Sequence, residues 1–199
     1  MLGAKSHETE VVMMTLKNLK IIFYKILFLS TIAVLFWKKQ PTASSYTNRL
    51  MKILYCVDGD TCLAQTNFSF KLKIRLLGVD APEIDHRPGG QQNQAFGLES
   101  KNYINHQLKG QKVWVDAYSY DIYGRTLAIL RTFETKTNFN ERLVREGMAL
   151  AYKNPRYKTF DWALEAENFA RKNKKGLWSL APGLIPDPQK FRHSKRGFN

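Results

Sequence analysis

Residues 57–83 read VDGDTCLAQTNFSFKLKIRLLGVDAPE and carry the most informative pattern in the chain. Carboxylates and an arginine lie in turns at the two ends of an apolar run, where a hairpin would bring them together: Asp58, Asp60, Arg75, Asp80 and Glu83. Carboxylates suit a divalent metal and a general base, and a guanidinium suits a phosphate oxygen. The stretch therefore predicts a site for a hard cation and a phosphodiester.

Four motifs follow one another between about residues 50 and 180. They are Asp58-Gly59-Asp60-Thr61, the run 75–83, Tyr123-Gly124-Arg125, and the run 140–147. A lone Asp-Gly-Asp triplet is a common turn. In this order and together, the four motifs resemble the staphylococcal nuclease-like (thermonuclease) family. The domain organisation expected is an N-terminal anchor or signal segment at 1–45, the nuclease-like domain at 50–180 and a basic, proline-containing tail at 181–199.

The pattern of elements predicts a mixed α+β fold. Strands are expected at 50–57, 61–66, 69–77, 111–117 and 125–132, and helices at 92–108, from a cap at Asn138 or Asn140 to Gly147, and at 161–175. Alternation in the third strand places Phe70, Leu72, Ile74 and Leu76 on the core face and Arg75 on the other face, where a phosphate ligand is needed. The resemblance implies a five-stranded β-barrel of the oligonucleotide-binding (OB) type with about three helices.

The resemblance also implies roles for individual residues. Asp60, Asp80 and the backbone carbonyl of Ala81 would bind calcium, with Asp58 supporting them from the turn. The family more often has threonine at the position of Ala81, and a carbonyl ligand survives that change. Glu83 would activate or orient the attacking water, while Arg75 and Arg125 would stabilise the phosphorane-like transition state.

The implied activity is that of a calcium-dependent, sugar-nonspecific endonuclease that cleaves DNA and RNA and leaves 3′-phosphate ends. Tyr123 and Tyr152 are candidate substrate contacts, since stacking on a base tolerates any sequence. Each residue also has a simpler reading. The aspartates could simply favour a turn, and Arg75 could be an exposed strand cation. Glu83, after a proline, could be a helix-start residue, Arg125 could pair with Asp121, and the tyrosines could be core or rim residues.

Charge supports a polyanionic partner. The 199-residue chain has 31 Lys and Arg against 17 Asp and Glu, a net charge of +14. Six lysines and two glutamates precede Pro41, so 25 bases and 15 acids remain, a charge of +10. Such a surface attracts nucleic acid first and anionic lipid second. We expect a monomer that acts on DNA and RNA, with single-stranded or unpaired regions favoured.

Residues 21–37 form an apolar run interrupted only by Lys25. The run is at the lower limit for spanning a bilayer, and its second half also suits a signal peptide. An uncleaved membrane anchor with an exported nuclease domain is slightly favoured over a cleaved signal and a secreted protein. A buried helix of the globular domain is the remaining alternative.

Two other features give weaker expectations. Cys56 and Cys62 flank the Asp-Gly-Asp turn, and two buried free thiols are favoured over a disulfide. The tail, residues 181–199, contains three closely spaced prolines and is expected to be extended and poorly ordered.

The competing functions are a non-catalytic nucleic-acid-binding OB module at a membrane and a lipid-binding adaptor, although degenerate copies of such domains usually lose the carboxylates.

Overall fold

The protein is represented by a computed structural model that describes residues 19–21, 23–25, 48–85, 93–154 and 159–196. The chain divides into two compact units, Met1–Thr42 and Ala43–Asn199. Residues 19–21 and 23–25 of the first unit are helical, and the rest of the predicted apolar segment 21–37 lies outside the described residues. Within the described ranges, no helix has the length and apolar character needed to cross a bilayer.

The second unit is built on a closed five-stranded barrel. The chain forms strands β1 (Arg49–Cys56), β2 (Thr61–Gln65), β3 (Lys71–Leu76), β4 (Val79–Asp80), β5 (Lys112–Tyr120), β6 (Thr126–Thr132) and β7 (Leu150–Ala151). The barrel order is β1-β2-β3-β6-β5, and β4 pairs separately with β7. Strands β3 and β6 run parallel, whereas the other barrel neighbours are antiparallel. The predicted α+β fold with an OB-type barrel is confirmed.

Among the described residues of the second unit, four α-helices accompany the barrel: α1 (Gly97–Leu108), α2 (Phe139–Arg145), α3 (Asp161–Lys172) and α4 (Pro188–Arg196). Two 3-10 turns, Gly176–Ser179 and Pro182–Leu184, lie between α3 and α4. Helix α1 begins five residues later than predicted. Of the two candidate caps for α2, Asn138 is the one used, because its side-chain oxygen accepts a hydrogen bond from the backbone N–H of Glu141 at 3.2 Å.

The barrel interior follows the alternation of the strands. In β3, Ile74 and Leu76 are buried while Arg75 lies on the other face. Phe70 was predicted to share the core face, but it precedes β3 and is 70% exposed. The reason is a turn at the β2–β3 connection, closed by a hydrogen bond from the backbone N–H of Thr66 to the carbonyl of Phe70 at 2.9 Å.

Two predictions about local structure are wrong. The tail was expected to be extended, but residues 188–196 form α4, whose start is explained by Asp187. The Asp187 carboxylate accepts a hydrogen bond from the backbone N–H of Lys190 at 2.9 Å, and Pro188 occupies the first helical position.

Cys56 and Cys62 are not free thiols. They lie opposite each other in the β1–β2 register, 3.9 Å apart at Cα, and form a disulfide.

A buried asparagine joins α2 to two parts of the barrel. The Asn140 side-chain amide donates to the carbonyls of Leu77 and Ala128 at 2.9 and 3.0 Å, and its oxygen accepts from the N–H of Leu130 at 3.0 Å. Leu77 lies just after β3, and the other two residues lie in β6. Asn140 therefore fixes the chain that connects Arg75 to Asp80.

Replacing this side chain should be far more costly than replacing the helix cap beside it. We expect Asn140→Ala to lower the free energy of unfolding by about 2–4 kcal/mol, because buried backbone groups lose their partners. Asn138→Ala should cost only about 1 kcal/mol, the usual loss for a cap. Urea denaturation of both variants measures the difference, and equal losses would show that the Asn140 hydrogen bonds do not matter.

Candidate active site

The turn between β1 and β2 is organised by Asp58. One Asp58 carboxylate oxygen accepts hydrogen bonds from the backbone N–H groups of Asp60 at 3.0 Å and Thr61 at 2.6 Å. The carbonyl of Asp60 in turn accepts from the N–H of Leu76 at 2.8 Å, which ties the turn to the end of β3. The simpler reading of Asp58 as a turn-former is thus correct, and the turn it forms fixes the position of Asp60.

Asp60, Arg75 and Asp80 meet in one partly buried cluster. Arg75 Nη1 forms an ion pair with Asp60 Oδ2, and Arg75 Nη2 lies 3.4 Å from Asp80 Oδ1. Asp60 Oδ2 also accepts a hydrogen bond from the backbone N–H of Ala81 at 2.8 Å. Arg75 is therefore not an exposed strand cation, and its side chain is only 13% accessible.

The strand register explains why these three residues meet. Arg75 in β3 lies opposite Thr61 in β2, directly after the turn that carries Asp60. Asp80 belongs to β4, where it pairs with Leu150 of β7, and the N–H of Tyr152 donates to the carbonyl of Gly78 at 3.0 Å. The short β4–β7 pair therefore holds Asp80 beside the barrel.

The cluster carries a concentration of negative charge. Burial, together with the neighbouring Asp60 carboxylate, raises the pKa of Asp58 to about 7. Burial also holds the pKa of Asp80 above its usual range, although Arg192 and Arg75 oppose this. Burial on its own would lower the pKa of Arg75, but Asp60 and Asp80 outweigh it and raise that pKa. Additional positive charge would thus be favoured at these carboxylates.

Arg125 reaches the cluster through Thr61. Its Nε donates to Asp121 Oδ2 at 2.7 Å, so the simpler reading of a pair with Asp121 is correct. Its Nη1 extends to Thr61 Oγ1 at 3.3 Å, and that hydroxyl donates to Asp60 Oδ1 at 3.1 Å. The ion pair with Asp121 consequently orients Arg125 toward the site instead of removing it.

Glu83 lies at the more open side of the site, and its side chain is 27% accessible. The backbone of Glu83 is clamped by Gln94. The N–H of Glu83 donates to Gln94 Oε1 at 2.8 Å, and the carbonyl of Glu83 accepts from the N–H of Gln94 at 2.9 Å. The backbone is therefore fixed while the carboxylate faces the site.

A third arginine, which the sequence analysis did not select, enters from α4. Arg192 Nη1 donates to Asp80 Oδ1 at 2.9 Å and to Glu83 Oε1 at 2.5 Å, and Arg192 Nη2 donates to Asp80 Oδ2 at 3.2 Å. Both oxygens of Asp80 are thus engaged by one guanidinium. The sequence held a signal for the helix, Asp187 before Pro188, but none for the place where the helix packs.

The two candidate substrate tyrosines have different positions. Tyr123 lies in the β5–β6 turn, is 64% exposed, and has the Arg125 guanidinium 5.5 Å from its ring centroid. Tyr152 follows β7, and its hydroxyl accepts a hydrogen bond from Asn154 at 3.1 Å. Tyr123 therefore accompanies a site arginine, whereas the Tyr152 hydroxyl contacts a neighbour in sequence.

The donor set at Asp60 and Asp80 fits a hard divalent cation. Two buried carboxylates, Asp60 from the β1–β2 turn and Asp80 from β4, approach the same guanidinium, and oxygen is the ligand that such cations prefer. Within the described part of the chain, no group of three or more His, Cys, Asp or Glu side chains is arranged to hold a metal. A cation here would therefore use the two carboxylates and complete its shell with backbone or water oxygens.

The structure belongs to the class of OB-type barrels that carry a cluster of carboxylates and arginines, an arrangement that can bind a cation and a phosphate group. Residues 73–180 match the model of the family described as "Staphylococcal nuclease homologue". This match covers more than half of the chain. The protein belongs to the staphylococcal nuclease family, which confirms the resemblance. At the level of the family, the expected class of enzyme, a hydrolase that acts on nucleic acid, is also confirmed.

Individual relatives support the same assignment. The chain is 33% identical over 144 residues to the thermonuclease of Staphylococcus hyicus, covering 71% of this chain and 82% of that protein. It is 30% identical over 179 residues to an uncharacterized endonuclease of Haemophilus influenzae, covering 90% and 88%. It is also 34% identical over 125 residues to the probable endonuclease LCL3 of Komagataella phaffii, with 60% of this chain matched to only 54% of that protein.

Any side chain at Gly59 should destabilise the protein, because the turn has no space for a Cβ atom. A Cβ at Gly59 would lie 2.0 Å from Ser100 Oγ in α1 and 2.6 Å from the Cβ of Ala81. We expect Gly59→Ala to cost about 1–3 kcal/mol of unfolding free energy, as overpacking usually does. Gly183→Ala is the control, because nothing lies within 4 Å of a Cβ there. Chemical denaturation of both variants tests this, and equal stability would contradict the close approach of the turn to α1.

Proposed function

We propose that this protein is a calcium-dependent, sugar-nonspecific endonuclease that hydrolyses phosphodiester bonds of DNA and RNA and leaves 3′-phosphate ends. The observation that carries the proposal is the convergence of Asp60 and Asp80 on Arg75, in a chain of a nuclease family. This cluster contains the opposite charges that a phosphate and a cation require. The basic composition supports nucleic acid as the substrate.

Asp60, Asp80 and the carbonyl of Ala81 would hold the calcium ion. When bound, calcium supplies positive charge that polarises a phosphate oxygen. The hydrogen bonds that Asp60 accepts from Ala81 and Thr61 keep its carboxylate from rotating away from the site. Asp58 maintains the turn that carries it.

The arginines would bind the phosphate. Hydrolysis adds negative charge to the phosphate oxygens, and guanidinium groups donate hydrogen bonds in a planar pair while remaining charged at any working pH. Arg75 approaches from β3, and Arg125 approaches from the β5–β6 turn beside Thr61. Since both are fixed by carboxylates before substrate arrives, little reorganisation is needed when the charge develops.

Glu83 would take a proton from the attacking water or orient that water. Its side chain is more accessible than those of Asp60 and Asp80, so water can reach it, and its backbone is fixed by Gln94. Tyr123, exposed beside Arg125, would stack on a base or sugar, and Tyr152 is the second candidate contact. Stacking of this kind favours single-stranded or unpaired regions. We propose that the protein acts as a monomer.

Cleavage by the full 199-residue chain, purified in mild detergent, tests the proposal. Single-stranded DNA and RNA should be degraded with calcium present, and EGTA should stop the reaction. Glu83→Gln and Arg75→Ala should each lower the rate at least ~100-fold, the scale expected for losing a base or a charge-stabilising donor. Lys73→Ala, an exposed position on the same strand, is the control.

Two other results would replace this proposal. Binding of nucleic acid without cleavage in calcium would identify a nucleic-acid-binding module. Binding to anionic liposomes that nucleic acid does not compete away would identify a lipid adaptor. Cleavage that survives both substitutions would show that the reaction takes place elsewhere on the protein.

We further propose that residues 21–37 anchor the protein in a membrane and that the nuclease domain is exported. The apolar run supports the anchor, and the Cys56–Cys62 disulfide supports an oxidising compartment, where such bonds persist. If the anchor is not cleaved, cell fractionation should recover a chain of 23.1 kDa with the membranes. A variant without residues 1–45 should leave the membrane fraction. A full-length chain in the soluble fraction would contradict the anchor, and a shortened secreted chain would show cleavage.

A further inference from the structure

Arg192 forms hydrogen bonds with the carboxylates that the proposed reaction needs. Its guanidinium donates to both oxygens of Asp80 and to Oε1 of Glu83. Asp80 is a proposed cation ligand, and Glu83 is the proposed partner of the attacking water. A side chain from the end of the chain thus engages two functional carboxylates at once.

The helix that carries Arg192 is held in place by contacts away from these carboxylates. Gln94 Nε2 donates to the carbonyl of Asp187 at 3.0 Å, and Gln189 Nε2 donates to the carbonyl of Lys153 at 2.6 Å. Before the helix, Ile185 packs against the cluster of Ala170, Leu177 and Trp178. The start of α4 is therefore anchored, and Arg192, just over one turn further on, is directed into the site.

Helix α4 also lies beyond the part of the chain that matches the nuclease family. The family match ends at residue 180, and α4 begins at Pro188. The contact made by Arg192 is thus an addition to the matched domain, while the carboxylates it engages lie within it.

A guanidinium and a divalent cation cannot use the same oxygens of Asp80 together. The guanidinium takes both oxygens in a planar, two-pronged contact. A cation placed there would displace those hydrogen bonds and would repel the guanidinium at short distance. Arg192 remains 30% accessible, so its side chain has a route to solvent.

We propose that Arg192 is an internal cation that holds Asp80 and Glu83 when no divalent cation is bound, and that α4 must release it before the cation and substrate can bind. Helix α4 is then a displaceable cover of the active site. Calcium binding and the docking of Arg192 are coupled, so each weakens the other by the same factor. This inference rests on the cation site of the proposed function.

Calcium affinity of the full chain tests the competition directly. Isothermal titration with calcium should show at least ~10-fold tighter binding by Arg192→Gln than by the wild type, because the fraction of molecules with a free site rises. Lys190→Gln removes an equal charge from an exposed position of the same helix and is the matched control. Equal affinities for the two variants would overturn the proposal.

Hydrogen exchange of the 188–196 segment provides a second readout that does not depend on catalysis. Saturating calcium should increase exchange in this segment of the wild type and of Lys190→Gln. In Arg192→Gln the exchange should be high already and should change little on adding calcium. Exchange in the wild type that calcium leaves unchanged would overturn the proposed release.

Cleavage measured at saturating calcium separates this inference from the proposed function. Arg192→Gln should cleave at least as fast as the wild type. A loss on the scale of Arg75→Ala would make Arg192 a phosphate ligand and overturn its role as a competitor. Tighter calcium binding by Arg192→Gln with no cleavage by any variant would support the inference and reject the nuclease proposal. No calcium binding by any variant would reject the inference.

Discussion

The site depends on burying two carboxylates against one guanidinium. Removing charges from water is costly, and a buried ion pair is maintained only where geometry and further hydrogen bonds compensate. Arg75 is shared by Asp60 and Asp80, so loss of Arg75 would leave two buried charges facing each other. The barrel register and the β4–β7 pair have to bring the three residues together at once. This requirement explains why so many hydrogen bonds fix the local backbone.

Hydrogen bonds to the backbone provide much of that restraint. Asp58 fixes the turn, the end of β3 holds the carbonyl of Asp60, and the N–H of Ala81 holds its carboxylate. Asn140 fixes the chain between Arg75 and Asp80 from the opposite side. With these restraints, the carboxylates cannot relax apart to relieve their repulsion. A rigid group of like charges of this kind is suited to binding a cation or a phosphate-bound cation.

The sequence predicts those parts of the fold and site that depend on local pattern. Alternation in β3 correctly places Arg75 on the face of the strand away from Ile74 and Leu76. The ordered motifs identify the barrel and the residues of the cluster. Phe70 was misplaced because alternation does not show where a strand begins. Arg192 was missed because nothing local connects residue 192 to residue 80. The disulfide likewise depends on how tightly β1 turns into β2, which composition does not reveal.

Helix α4 changes the balance of charge in the site. Asp60, Asp80 and Glu83 bring three negative charges, and Arg75 offsets one of them, since Arg125 is already paired with Asp121. With Arg192 docked, one of these three negative charges is left uncompensated, which lowers the electrostatic cost of the site in the absence of a metal. A divalent cation brings two charges and makes Arg192 redundant. If the guanidinium leaves as we propose, the oxygen of Glu83 becomes open to water, so binding of the cation would also free the proposed base.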